Sequence, residues 1–420
     1  MLEAKLLLTM VVVVLAIASF LKNRDFFSPV KFYLLYSVFF YFGIFVDDVL
    51  EITLAVYVFL IGCIAIALVL EPRATSFGVV GRNHRWWKYS AIWALSLPGI
   101  VTKVTFVVIA GGFIEYVNSL AYRVVDWQGK GYIVIWFYII PALNLVYFCY
   151  LITDSGRSRL KMILYCFHFL LFVAIGVLTA SRSYIAMTLV GMIVCYSYLS
   201  RRVRVLTLIA VAASVVLMVG FLGAVRNLYG GLDSDSLYEA AGNSELEVTH
   251  FRYGTIPLEI VFSQPDREPK LGVTYLSLLT NYIPRALYPE KLDTGGIVFT
   301  REYAGDQWGG LSNLATGTVT EAVVNFGKEF GVIVGLLLNL VFFLAGVFLY
   351  RNLLSRMRSD LTGRGLSPEW MVGYYYTIIA FARLSFSEFT DVFQTLIFFC
   401  VLPIALVTPV SKIFRSFGSK

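Results

Sequence analysis

Charge is what this chain has least of: 15% of its 420 residues are Asp, Glu, Lys or Arg, against 58% hydrophobic and a mean hydropathy of +0.76. A soluble domain of this length is excluded, because too much apolar surface would face water. Cysteine is scarce as well. The five, Cys63, Cys149, Cys166, Cys195 and Cys400, all fall in apolar runs without metal-ligand spacing, so they read as small packing residues rather than a disulfide or zinc framework. Three histidines, His84, His168 and His250, are too scattered for a metal cluster. There is no Walker sequence, no dinucleotide fingerprint and no GxSxG, so no cofactor is expected. The first apolar run lacks a basic n-region and a small-residue cleavage site, and is expected to stay as a membrane anchor.

What is present is a series of apolar runs long enough to cross about 30 Å of hydrocarbon as helices. Eleven are predicted, near residues 4–21, 30–46, 49–70, 89–112, 131–151, 161–180, 183–200, 205–225, 328–350, 371–388 and 392–410. They divide the chain into a membrane bundle of about eight helices (1–225), a large polar loop (226–316) and C-terminal membrane helices with a short tail (317–420). The fold class is therefore an all-α polytopic membrane protein.

Orientation follows from the basic residues, which concentrate in cytoplasmic loops. Of the 34 Lys and Arg, 20 fall in alternate short connections and the tail, including Lys22, Lys31, Arg157, Lys161, Arg202, Arg356 and Lys412. Residues 47–51 and 386–391, on the other side, hold only acidic charge. The N-terminus is thus expected outside and the C-terminus inside, and the net charge of +7 is a consequence of topology that needs no nucleic-acid partner. Residues 226–316 then face outward, as does the shorter segment 113–130. The 16% of aromatic residues could stack on sugars, but Trp and Tyr also gather at membrane interfaces, as at Trp86-Trp87. Asp233-x-Asp235 resembles a metal-binding DxD, yet an outward loop has no supply of nucleotide sugars, and solvated carboxylates are the simpler reading.

Positive charge on the outer side opposes the orientation rule. Arg182 lies between two apolar helices, Arg226 ends the eighth run, Arg252, Arg285 and Arg301 follow in the loop, and Arg383 lies within the tenth run. An ionised side chain at a helix centre costs about 2.5–3.5 kcal/mol on insertion scales. Each arginine could snorkel to a lipid phosphate or pair with a carboxylate such as Glu388 or Asp391. As a set, guanidinium forks around one cavity would clamp a pyrophosphate. A second polar signal is the stripe Thr318, Glu321, Asn325 and Lys328, whose spacing predicts one wet helix face entering the bilayer. It could be an internally satisfied network or could place the Glu321 carboxylate as a base.

The stretch NYIPRALYPEKLDTGGIVFTREYAGDQWGGLSNLATGTVTEAVVNFGKEFGVIVG resembles the hallmark region of Wzy-type O-antigen polymerases, the oligosaccharide repeat unit polymerases. The matching features are Ile283-Pro284-Arg285, Pro289, Gly309-Gly310, Ser312, and Glu321 with Asn325-Phe326-Gly327. The TASRS element at Arg182 and the Gly111-Gly112 segment leading to Arg123 also resemble the family. The resemblance implies a GT-C-like helical bundle in the bacterial cytoplasmic membrane. It would join oligosaccharide repeats carried on undecaprenyl pyrophosphate, with that pyrophosphate as leaving group and no cofactor or metal. Membrane lipids and a polysaccharide co-polymerase regulating chain length are the implied partners. Glu321 is then the first candidate for the base and His250 the second. Arg123, Arg182, Arg226, Arg252, Arg285, Arg301, Arg383 and Asn325 are the substrate-binding candidates. An O-antigen ligase uses the same donor, and a flippase for lipid-linked oligosaccharide would need similar helices, though no internal repeat of the transporter kind is present. The apolar segment 271–283 is expected to lie along the membrane surface or dip into it.

Overall fold

The computed structural model describes residues 2–74, 84–119, 136–179, 182–200, 252–281, 287–305, 316–360 and 366–417, with a few single positions besides. No strand occurs among them. In chain order the helices are α1 (Leu2–Lys22), α2 (Pro29–Phe40), α3 (Gly43–Val46), α4 (Glu51–Leu70), α5 (Trp86–Ile109), α6 (Phe113–Ser119), α7 (Ile140–Thr153), α8 (Arg159–Val177) and α9 (Arg182–Leu199). They continue as α10 (Ile256–Ser263), α11 (Val273–Thr280), α12 (Gly295–Glu302), α13 (Gly317–Phe326), α14 (Lys328–Asp360), α15 (Pro368–Arg383) and α16 (Phe389–Gln394). A π-helical stretch, Thr395–Val401, leads into α17 (Leu402–Phe417).

Among the described residues, seven segments are long and apolar enough to cross a membrane: α1, α4, α5, α7 with the residues just before it, α8, α14, and the run from α16 through α17. The chain has the character of a multi-pass α-helical membrane protein. Helices α2 and α9 are apolar but shorter. Of the expected spans, 205–225 lies almost wholly outside the described residues, and two others are cut short. The 30–46 run breaks after Phe40, whose carbonyl accepts from the Gly254 amide at 2.9 Å. The Tyr41 ring fills the space where a Gly254 side chain would stand. The 371–388 run ends as a helix at Arg383 and turns through Leu384–Ser387.

The chain forms two compact units that interleave in sequence. The first comprises Met1–Ser76, Val248–Ser355 and Thr377–Leu396. Within it, α13 and the start of α14 form a tight antiparallel hairpin about Gly327, whose φ of +82° a side chain would strain. Gly331 and Gly335, one turn apart on α14, let the two backbones meet. A Cβ on Gly331 would lie 2.4 Å from the Val323 Cα, and one on Gly335 2.6 Å from the Val319 Cα. Small residues four apart serve this close approach in membrane helices generally. With ten residues, α13 is about 15 Å long, half of what a span requires.

The second unit comprises Phe77–Glu247, Arg356–Tyr376 and Ile397–Lys420. Its centre is α7, buried on every side from Ile140 to Tyr147, as a helix apolar all round should be. His168 on α8 is fully buried; its Nδ1 meets the Asn144 amide at 2.8 Å and its Nε2 the Ser96 hydroxyl at 2.9 Å. At the end of α7, Asp154 accepts from the Lys161 ammonium at 2.6 Å, the Tyr89 hydroxyl at 2.9 Å and the His84 amide at 3.1 Å. Burial would raise this carboxyl, but the Lys161 ammonium and the amide donors outweigh it and hold it below the ordinary carboxylate range. Lys161 therefore closes a buried ion pair. Lys31 in the first unit is buried likewise, donating to the Asn23 carbonyl at 2.8 Å. Four cysteines are buried and Cys166 is exposed on α8, none of them in a disulfide.

Replacing Gly331 by Val should destabilise the α13–α14 hairpin by about 1–3 kcal/mol or more, since backbone faces backbone and no side chain can yield. Thermal unfolding in detergent should reveal the loss, and an unchanged transition would contradict the packing described.

Candidate functional site

Four short elements of the first unit, α11, α12, α13 and the start of α16, converge on the Glu321 carboxylate. Glu321 is 0% exposed, and both of its oxygens are taken. The Thr274 hydroxyl donates to Oε1 at 2.9 Å, and the Phe389 amide, in the first turn of α16, donates to Oε2 at 2.6 Å. Asn325, one turn along α13, locks the arrangement. Its Nδ2 donates to the Thr274 Oγ1 at 2.6 Å and to the Glu321 carbonyl at 2.8 Å. Below them, the Thr390 hydroxyl donates to the Thr274 carbonyl at 3.1 Å and meets the Ser277 hydroxyl at 3.1 Å.

Two glycines complete the enclosure. A Cβ on Gly295 would lie 2.5 Å from Glu321 Oε1, so only glycine lets α12 start against the carboxylate. The next amide, of Gly296, donates to Glu388, itself buried. Two carboxylates thus flank the start of α12. Burial raises the Glu321 carboxyl above the ordinary carboxylate range and the Glu388 charge adds to it, against the opposing pull of the Phe389 amide and Thr274 hydroxyl.

The face expected to be wet is therefore enclosed: Thr318, Glu321 and Asn325 are all fully buried. Thr318 turns away to the Leu384 carbonyl at 2.6 Å. Lys328 leaves the stripe, because Gly327 ends α13 one residue earlier. It begins α14 instead and pairs with Asp266 at 3.0 Å. Three of the candidate arginines are paired, each with its own carboxylate. Arg252 pairs with Asp47 at 2.9 Å, Arg301 with Asp293 at 2.8 Å and Arg383 with Asp391 at 2.8 Å. Of the two carboxylates expected near Arg383, Asp391 holds it. Arg182 starts α9. Arg123, Arg226, His250 and Arg285 lie outside the described residues. A hollow of about 590 Å³ in the second unit, bounded by Asp154, Arg157, Tyr196 and Ser200 among others, holds none of the candidates.

Sequence reasoning missed Thr274, Ser277 and the Gly295-Gly296 pair. Thr274 and Ser277 sit one turn apart in LGVTYLSLLT, a polar stripe legible in hindsight but outweighed by the leucines between. No protein-family model, no curated protein and no solved structure matches the chain.

Glu321→Ala would leave the Thr274 hydroxyl and Phe389 amide without an acceptor, at a cost of about 1–3 kcal/mol for each. Glu321→Gln keeps the shape of the protonated acid and should fold. Because the native carboxyl sits above its unfolded value, its contribution is fully present below the unfolded value and is lost as pH rises through the native one. Unfolding measured across pH should show wild-type stability declining toward alkaline pH and that decline reduced in Glu321→Gln. Identical profiles would contradict the assignment.

Proposed function

We propose that this chain is a membrane glycosyltransferase that polymerises undecaprenyl-pyrophosphate-linked oligosaccharide repeats into O-antigen or a related surface polysaccharide. It works on the outer face of the bacterial cytoplasmic membrane, with N-terminus outside and C-terminus cytoplasmic. One observation carries the reading. Glu321 and Asn325, two of the polar side chains in the segment that resembles the polymerase hallmark, are tied by Thr274 into one enclosed node.

The reaction needs little beyond positioning, because a lipid pyrophosphate is already a good leaving group. The acceptor hydroxyl of the incoming lipid-linked repeat attacks the anomeric carbon of the growing chain. A new glycosidic C–O bond forms, the C–O bond to pyrophosphate breaks, and undecaprenyl pyrophosphate departs with the bonding electrons. Its charge falls to arginines, of which Arg182 and Arg285 are the first candidates. Arg252, Arg301 and Arg383 rest against Asp47, Asp293 and Asp391, and an entering pyrophosphate would exchange those partners for itself. The hydroxyl proton passes to Glu321 once Thr274 and the Phe389 amide give way. His250 is the second candidate for that proton. A base held above the ordinary range acts through its ionised fraction, so turnover should climb with pH through the shifted value.

Purified protein mixed with undecaprenyl-pyrophosphate-linked repeats from its host should yield a glycan ladder on a gel without added nucleotide. Arg182→Ala and Arg285→Ala should each lower polymerisation by about 10²–10³ while leaving the protein in the membrane. Glu321→Gln should lower turnover by about 10²–10⁴ and remove the rise with pH. Transfer of the glycan to lipid A core alone would identify a ligase, and movement of lipid-linked substrate across the bilayer without a ladder a flippase; either overturns the proposal. Retained turnover in Glu321→Gln removes it as base.

A further inference from the structure

Helix α11 is built inside out. Thr274 and Ser277, one turn apart, are 1% and 0% exposed and face the Glu321 node, while Val273, Leu276 and Leu279 on the other side are 40%, 54% and 74% exposed. Leu271, just before the helix, is 79% exposed, and Leu287, seven residues beyond its end, is 78% exposed. A helix bounded by water turns its apolar stripe inward, and contiguous exposed apolar surface marks an interaction face. Here the stripe points out and the hydroxyls point in, as they would where the outer neighbour is hydrocarbon.

The backbone holds this arrangement at a cost. Leu271 has a φ of +51°, a left-handed conformation rare for a bulky side chain, and Gly272 follows at +84°. The Lys270 and Leu271 amides donate to the Val324 and Asn325 carbonyls at 3.1 and 2.8 Å, pinning the turn to the end of α13. Aromatic contacts then join α11 to the starts of two candidate spans. The Tyr275 ring lies 6.2 Å from that of Phe326, which lies 6.1 Å from Phe330, itself 60% exposed at the head of α14. The same Tyr275 ring is 5.2 Å from Phe389, where the last candidate span begins. Charged groups keep to the flanks: Lys270 pairs with Glu302 at 2.7 Å, and Lys291 donates to the Asn281 carbonyl.

We propose that the outer face of α11, with Leu271, Leu276, Leu279 and Leu287, is inserted in the hydrocarbon of the bilayer. The Glu321 node then lies at the rim of the apolar layer, behind a lipid-facing helix, rather than in a water-filled loop. This placement does not depend on the glycosyl-transfer reading. It is set by which side chains α11 buries and by its continuity with α14.

Single cysteines at Leu271, Leu276, Leu279 and Leu287, in full-length protein carrying Cys166→Ser and reconstituted in phospholipid vesicles, can each bear a nitroxide. Collision of the nitroxide with oxygen, which concentrates in hydrocarbon, is compared with collision with a water-soluble nickel chelate. Ile333→Cys on the exposed face of α14 serves as the lipid control and Asp266→Cys as the water control. The four labels should match Ile333→Cys, with an oxygen-to-nickel ratio several-fold above that of Asp266→Cys. A ratio equal to the water control at Leu276 and Leu279 would overturn the proposal. So would shielding from both reagents, which would mean that protein, from this chain or a second copy, covers the face.

Discussion

A carboxylate placed in an apolar interior must be given hydrogen-bond donors or a proton, and the short helices of the first unit around Glu321 are arranged to meet that requirement. Glu321 has no water to turn to, so its oxygens are met by one hydroxyl from α11 and one backbone amide from α16. Three features of the backbone follow. Helix α13 stays short, so that its middle rather than its end carries the carboxylate. Gly295 lets α12 begin against it, and the chain turns between α15 and α16 so that the Phe389 amide reaches the carboxylate. Asn325 makes the node cooperative, since it bonds both the Thr274 hydroxyl that serves Glu321 and the Glu321 carbonyl.

The spans were legible because hydropathy over twenty residues is indifferent to which face is buried, and α1, α4, α5, α8 and α14 lie where the apolar runs are. Features that depend on partners distant in sequence were not legible. The break after Phe40 depends on Gly254, more than two hundred residues on. Lys31 and Lys161 count toward the positive-inside bias, yet each is buried against specific oxygens, so a charge tally holds topology and packing together without separating them. The stripe through Thr318, Glu321 and Asn325 was read correctly as one helix, but a single glycine excluded Lys328, and spacing alone cannot tell a wet face from an enclosed polar one. The pairing of Arg383 with Asp391 crosses a turn of four residues, Leu384–Ser387, inside what hydropathy treats as one run.

The same economy runs through the charges. Arg252, Arg301 and Arg383 each have a carboxylate of their own, and those carboxylates are between about a fifth and a half exposed. Exposed pairs of this kind contribute little to stability, commonly about 0–1 kcal/mol. They are the charges an anionic ligand could recruit at small cost to the fold. The sealed Glu321 node is the opposite case, where satisfaction is complete and substitution is expensive.

The node itself can be interrogated directly by infrared titration of the carboxyl C=O stretch, taken as wild type minus Glu321→Gln. A protonated band persisting to a midpoint above the ordinary glutamate value of about 4.3 is the result predicted for a carboxyl enclosed beside Glu388. A midpoint at or below that value, as for a solvated or arginine-paired carboxylate, would contradict the enclosed node and with it the arrangement of α11, α12 and α16 around Glu321.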